Sequence, residues 1–372
     1  MKIGLIDSDL LMRRKNSFPN LALMKISGYH KAKGNTAELI LDYSQLSSEG
    51  MFIPIKHYDK IYLSKVFTDT TVPEWILKLP NLTYGGTGFF FDKAPPLPND
   101  MEHHFPDYDL YNRWVSITLS EGNKASRLKI SRDYSLGYLS KGCIRQCDFC
   151  VNRNKRKSIL HSPLKEFYNE SKPFICLLDD NILACPDWER LLKELMETGK
   201  PFRFTQGIDI RLLTDKSAEM LSRSNYDHKI YFAFDNYNEK EIIVKKLRLW
   251  RKYADNTESK VYVLVGYDRA NRYDKNFGLS DVASAFERIK IITDFGCLPF
   301  VMRFEKVKES PFQKLYSMIA NWCNSSGFIY KKSFRQYVYY KKCNIDYFDG
   351  FEKENPKIAQ KYFDWKRKGA DG

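Results

Sequence analysis

The stretch Gly142-Cys143-Ile144-Arg145-Gln146-Cys147-Asp148-Phe149-Cys150 decides how the rest of this chain is read. Its Cys-x3-Cys-x2-Cys spacing supplies three thiolates, not four, from one short loop. Iron–sulfur clusters are held by cysteine thiolates, usually four of them. A site with three leaves one iron without a protein ligand, open to a substrate or cofactor as a catalytic metal keeps an open position. Phe149, just before the last cysteine, is an apolar group suited to shielding a cluster from water. Two other readings stand beside this one. The cysteines could form a zinc site with His161 as fourth ligand, although structural zinc usually takes two well-separated ligand pairs, or they could be a chance grouping.

Around this loop, residues 134–303 alternate regularly between apolar runs and amphipathic segments. Strands are expected at Leu136–Leu139, Phe174–Leu178, Phe202–Thr205, Ile230–Phe234, Val261–Val265 and Pro299–Arg303. Helices are expected to start at Ser162-Pro163, where serine is the N-cap and proline sits in the first turn. Others start at Pro186, at Thr214, at a capping box over Asn238–Glu241 and at Ser280, the last running to Gly296. Trp188, Leu191, Leu192 and Leu195 share one helical stripe. Six strands with five helices between them suggest a partial (β/α)6 barrel. The cysteine loop follows its first strand, at the C-terminal mouth where parallel barrels hold their active sites.

Before the barrel, residues 1–125 also alternate. Ile3–Ile6, Ala37–Leu41, Tyr58–Val66 and the run from Leu82 read as strands, Leu21–Tyr29 and Pro73–Leu79 as helices. This predicts an open, Rossmann-like parallel sheet. The Gly85-Gly86-Thr87-Gly88 loop is either a plain turn or a phosphate cradle of backbone amides. Residues 92–110, rich in proline and acid, read as a linker or crossover. After the barrel, residues 307–372 are aromatic and basic, with Lys331-Lys332, Arg335, Tyr337, Tyr339-Tyr340, Lys341-Lys342 and Trp365–Lys368. They read as a helical cap or as a surface that tracks a nucleic-acid backbone and stacks bases. The expected class is therefore α/β in three parts: 1–125, 126–306 and 307–372.

The cysteine spacing, its aromatic residue and the alternation around it resemble the radical S-adenosylmethionine (radical SAM) superfamily. The subgroup resembled carries an N-terminal cobalamin-binding-type Rossmann domain. The resemblance implies that Cys143, Cys147 and Cys150 hold a [4Fe-4S] cluster whose fourth iron chelates the amine and carboxylate of S-adenosylmethionine. One electron from the cluster then cleaves that cofactor to a 5'-deoxyadenosyl radical, which takes a hydrogen atom from the substrate. A reducing partner such as flavodoxin or ferredoxin is implied. Cobalamin binders of this kind usually carry Asp-x-His-x-x-Gly after the first strand. Here the loop is Asp7-Ser-Asp-Leu-Leu-Met12, so the fold is expected without cobalamin.

The resemblance also implies cofactor contacts at the strand ends. Asp179-Asp180-Asn181 stands where the family places the motif that binds the cofactor's amino group. Gln206 or Asp209 would face the pocket, and Arg211 would pair with the cofactor carboxylate. Asp235 would meet ribose hydroxyls, and Val265, before Gly266, would pack on adenine. No residue is assigned to catalysis. Cys176, Cys185, Cys297, Cys323 and Cys343 are not spaced as a second cluster and are expected to be core thiols.

Composition narrows the rest. The formal charge of +14 raises the odds of a polyanionic partner, although lysine richness also follows from codon bias. Arg153, Lys155, Arg156 and Lys157 follow the cysteine loop and make a nucleic acid or nucleotide substrate plausible. No stretch is long and apolar enough to span a bilayer, the N-terminus reads as a strand and not a signal peptide, and free thiols suit a reducing compartment, so a cytoplasmic protein is expected. The competing function is a non-catalytic, metal-stabilised nucleic-acid-binding protein.

Overall fold

The computed structural model describes residues 1–13, 18–46, 57–255 and 258–367; Lys368, the end of the basic tail, lies outside the described residues. The chain is α/β with parallel sheets and forms two compact units: Met1–Asp180 with Lys193–Phe202, and Asn181–Leu192 with Arg203–Gly372. Among the described residues no helix is long and apolar enough to cross a membrane.

The first unit opens with β1 (Lys2–Asp7), β2 (Thr36–Leu39), β3 (Lys60–Ser64) and β4 (Leu82–Gly85), in the order β2-β1-β3-β4 and all parallel. Every residue of β1 after Lys2 is buried, as expected of a parallel strand covered on both faces. In such a sheet the C-terminal ends of β1 and β3 flank the crevice where strand order reverses and ligands commonly bind. Here that crevice is occupied by the chain's own groups. Asp7 accepts from Tyr111 Oη at 2.7 Å and caps the short helix Ser8–Met12 through Leu10 N. Asp9 accepts from Val66 N at 2.6 Å and from Thr70 Oγ1 at 2.5 Å. Burial pushes the Asp7 carboxyl up to about 6.

Of the two readings of the glycine loop the turn holds, and two other expectations for this unit need correction. The glycine loop is a turn: Gly88 N donates to Lys65 O, while Phe89 N and Phe90 N donate to Gly86 O, so these amides are engaged within the chain. Residues 92–110 are not a bare linker, because Met101, Tyr108 and Leu110 are buried in the core beside Ile3, Leu5 and Leu136. No helix starts at Ser162-Pro163; a single 3-10 turn, Leu164–Glu166, stands there instead. Phe167 then turns inward and lays its ring against Gly137.

The unit continues with β5 (Tyr134–Gly137), the two-residue β6 (Ser140–Lys141) and β7 (Ile159–Leu160), and β8 (Phe174–Leu177). β5 and β8 pair in parallel, Tyr134 beside Phe174 through Gly137 beside Leu177. β6 and β7 form an antiparallel pair that closes the base of the cysteine loop. β9 (Phe202–Phe204) follows in the sheet order β5-β8-β9.

In the second unit β10 (Ile230–Ala233), β11 (Ser259–Val265) and β12 (Leu298–Arg303) form a parallel sheet, and a bridge joins Ile208 to Phe232 of β10. β11 alternates strictly between buried and half-buried residues. Its buried side faces the helix Lys275–Asp294, whose Val282, Ala285, Phe286 and Ile289 are fully buried. The helix Lys240–Tyr253 adds Trp250, which donates from Nε1 to Ser259 Oγ at 2.8 Å. That helix starts without the side-chain cap expected at Asn238; Asn236 instead caps the 3-10 turn Tyr237–Glu239 before it. The helix Lys275–Asp294, capped by Asp274, begins five residues before the expected Ser280.

Residues after 307 are helical: Gln313–Cys323, Ser326–Ile329, Phe334–Lys341, Ile345–Glu354 and Pro356–Tyr362. Their aromatic residues mostly build a core, in which Trp322, Phe334, Phe348 and Phe363 are fully buried and Phe286 stacks on Tyr362 with centroids 5.3 Å apart. Tyr339 and Tyr340 remain exposed. Of the five cysteines expected in the core, four are buried and Cys343 is exposed. It lies between Lys342 and Asn344, two left-handed residues that turn the chain between helices.

Candidate functional site

The cysteine loop is clamped at its two ends by adjacent carboxylates that follow β8. Asp179, 2% exposed, accepts from Leu139 N at 3.1 Å, Ser140 N at 2.6 Å and Ser140 Oγ at 2.7 Å. Burial raises its carboxyl to about 6, and the three hydrogen bonds work against that rise. Asp180 reaches further. One oxygen accepts from Gly142 N and the other from Asn152 Nδ2, both at 2.7 Å. The loop therefore leaves β5 and returns past Cys150 under the control of one dipeptide. Gly142 is required here, because its φ is +95° and a Cβ would come within 2.2 Å of Lys157 O.

Between the clamps, Cys143, Cys147 and Cys150 are half-buried. Cys150 N donates to Cys147 O at 2.9 Å, closing a turn. Arg145 N lies 3.3 Å from Cys143 Sγ and Asn152 N lies 3.4 Å from Cys150 Sγ. Amide donors on cysteine sulfur are a recognised way to tune an iron–sulfur centre. Among the described residues no group of three or more histidine, cysteine or acidic side chains is gathered as a metal site. The donor chemistry of the loop nevertheless fits a cluster held by three thiolates. His161, the alternative zinc ligand, has both ring nitrogens engaged: Nε2 is 3.0 Å from Glu102 Oε1 and Nδ1 is 2.8 Å from Ser162 Oγ.

Glu102 is the centre of a polar network beside the loop. Its Oε1 accepts from Lys25 at 3.2 Å and Lys141 at 2.5 Å as well as from His161. Burial opposes ionisation of Glu102, but these three donors outweigh it and hold the carboxyl well below the usual range. Burial pushes the His161 imidazole down, so at neutral pH it is an uncharged donor to Glu102. Arg153, the first of the basic residues after the loop, is tied to Asp92 at 2.7 Å, while Lys155, Arg156 and Lys157 are exposed.

The remaining predicted residues belong to the second unit. Asn181 is buried at its start. Gln206 is exposed after β9. Arg211 is gripped by Asp209 at 2.6 Å and Glu239 at 2.5 Å, and despite burial these acids raise its guanidinium further above its ordinary value. Asp235 follows β10 and accepts from Leu264 N at 2.8 Å, spanning the gap to β11. Burial raises its carboxyl, while Arg288 and Arg211 pull it down. Val265 ends β11 and is fully buried.

Two sets of site residues were missed from sequence. Arg288, 1% exposed, donates to Phe234 O, Asp235 O and Leu264 O, at 3.2, 2.9 and 2.9 Å. Its partner Asp281 stands 3.7 Å away and accepts from Gly266 N at 2.7 Å. This pair fixes the C-terminal ends of β10 and β11. A signal for it exists: an acid and a base seven residues apart share the apolar face of one helix with Ala285 and Ile289. Glu102 offers no such signal, because its segment has the composition of a linker.

No protein-family model matches this chain, and no curated protein matches it. Two solved structures of the cobalamin-dependent S-adenosylmethionine radical enzyme OxsB are similar to it. The aqua-cobalamin-bound form is 13% identical with a TM-score of 0.33, over 81% of this chain and 49% of that one. The apo, selenomethionine-labelled form is 15% identical with a TM-score of 0.36, over 86% of this chain and 55% of that one. The chain thus spans about half the length of these structures.

Proposed function

We propose that this chain is a radical SAM enzyme in which Cys143, Cys147 and Cys150 hold a [4Fe-4S] cluster. The supporting observation is the three-cysteine loop itself, which follows the parallel strand β5 beyond the short β6 and is clamped by Asp179 and Asp180. When bound, the cluster supplies one electron and an open iron for S-adenosylmethionine. The chain's own residues do the positioning. Asp179 and Asp180 fix where the loop leaves and returns, and the amides of Arg145 and Asn152 moderate thiolate charge. Asn181, Gln206, Arg211, Asp235 and Val265 are assigned to the cofactor's polar and adenine groups. In this reading Arg211 keeps its orientation through Asp209 and Glu239. β5 and β8–β12 form a partial (β/α)6 barrel, residues 1–125 a Rossmann-like domain and residues 307–372 a helical extension. The electron comes from a small reducing protein of the flavodoxin or ferredoxin kind.

The test is anaerobic. The protein is reconstituted with iron and sulfide, reduced, given S-adenosylmethionine and assayed for 5'-deoxyadenosine, beside Cys147→Ala. The expected result is iron and sulfide bound by the wild type, with cofactor cleavage at least 100-fold above the variant. Equal iron loading in both proteins, or zinc in place of iron, would overturn the proposal.

A further inference from the structure

The second unit carries a cavity unrelated to the cysteine loop. It has a volume of about 560 Å³ and is lined by Arg203, Asp227, Lys229, Tyr231, Glu258 and Lys260, among others. That volume falls within the roughly 300–1,000 Å³ of small-molecule sites. The lining residues come from β9, from the N-terminal ends of β10 and β11 and from the residues just before those two strands, opposite the strand ends held by Arg288. Tyr231 and Lys260 are directly paired across β10 and β11, as are Tyr262 and Phe300 across β11 and β12.

Three properties of the cavity point to one ligand chemistry. Its charge is unbalanced: Arg203, Lys229 and Lys260 face Asp227 and Glu258. Lys229 is paired with Glu258, whereas Lys260 forms no ion pair among the described residues. Lys260 Nζ instead stands 5.7 Å from the ring centre of Tyr231 and 5.4 Å from that of Phe300. Burial, and then the neighbouring Lys229, push its ammonium pKa down and Glu258 only partly offsets them; a bound anion would add to the effect of Glu258. The third property is a flat aromatic surface. Tyr231 and Tyr262 stack at 5.1 Å with planes 27° apart, and Tyr262 meets Phe300 edge-on at 5.8 Å. Tyr231 forms the cavity wall, so a planar ring entering the cavity extends an existing stack.

A flat ring joined to an anion satisfies all three. We propose that this cavity binds a nucleoside phosphate, with the base on Tyr231 and the phosphate on Lys260, flanked by Arg203 and Lys229. The phosphate comes either from a free mononucleotide or from one unit of a single strand. The site needs neither the cluster nor S-adenosylmethionine, so it stands apart from the proposed reaction.

The experiment is calorimetric titration of the whole purified chain with AMP, and separately with adenosine, inorganic phosphate and a short oligoadenylate. AMP is expected to bind at least 10-fold more tightly than adenosine or phosphate. Lys260→Gln is expected to weaken it 10-fold or more, Tyr231→Leu to do the same, and Tyr231→Phe to leave it within 2-fold, with thermal midpoints of all variants close to wild type. Should Tyr231→Leu unfold the chain, Lys260→Gln and Tyr231→Phe decide the matter alone. Oligoadenylate that competes with AMP and binds more tightly points to a strand; AMP binding without it points to the free nucleotide. The proposal fails if no saturable AMP binding occurs, if Lys260→Gln leaves it unchanged, or if S-adenosylmethionine displaces AMP.

Discussion

β1 and β11 are both central strands of parallel sheets, yet they are buried differently. Beyond Lys2, β1 has no exposed side, while β11 alternates between a side packed on helices and a side left half-open. The first pattern is that of a sheet covered on both faces; the second is that of a sheet lining a space. The polar groups follow suit. At the end of β1, Asp7 and its neighbours fill the crevice between strands with their own hydrogen bonds. On the half-open side of β11, Lys260 stands near the rings of Tyr231 and Phe300 and forms no ion pair among the described residues. A closed sheet uses its polar residues on itself, and an open one leaves them for a ligand.

Leu5→Ala tests the closed side most severely. Leu5 is fully buried, and its truncation should cost about 2–5 kcal/mol, seen as a lowered denaturant midpoint with an unchanged slope. A loss under about 1 kcal/mol would mean that β1 is not covered on both faces.

The second effect is a pH dependence. Asp7 has a folded pKa of about 6 against an ordinary 3.8. Between these values the folded state keeps a proton that the unfolded state has released. The stabilisation is therefore complete below pH 3.8 and is lost as pH rises through 6, a change of roughly 3 kcal/mol. Asp179 has the same folded value and adds to the same window. Urea titrations at several pH values should show Asp7→Asn flattening the slope between pH 4 and 6; an unaltered slope would place the titration elsewhere.

The smallest effect belongs to the open side. Lys260→Met removes a desolvated cation that has no ion pair among the described residues and keeps the stem between Tyr231 and Phe300. Stability should shift by less than about 1 kcal/mol. A larger loss would show that the lysine holds the sheet together and would sharpen the contrast into a different one.

Most strands were legible because their apolar runs are short and bounded. All six strands expected between 134 and 303 have counterparts, displaced by at most two residues at either end. Helix starts were less so. Ser162-Pro163 carries good start signals, but Ser135 exchanges hydrogen bonds with Asn169, and Phe167 must reach Gly137, so the chain cannot coil there. The helix from Lys275 was expected only from Ser280, and Gly278 lies within its first turns. It is inside the helix because the Phe312 ring lies where its Cβ would be, 2.2 Å away. At the candidate site, the cysteines and the two aspartates were visible as residue types at telling positions. What they touch was not. Asp180 was read as a cofactor contact, and its two oxygens are on Gly142 and Asn152. Pairings of this kind depend on where two distant segments meet, which spacing alone does not encode.

The clamp has a consequence for protein engineering. Asp179 and Asp180 grip the chain at Leu139, Ser140, Gly142 and Asn152, outside the segment Cys143–Cys150. The ligand-bearing segment is thus an exchangeable cassette seated in a fixed frame. Its length and ligand identity can be redesigned between two anchored ends, and a library randomised only between Gly142 and Asn152 samples new metal sites on an unchanged scaffold.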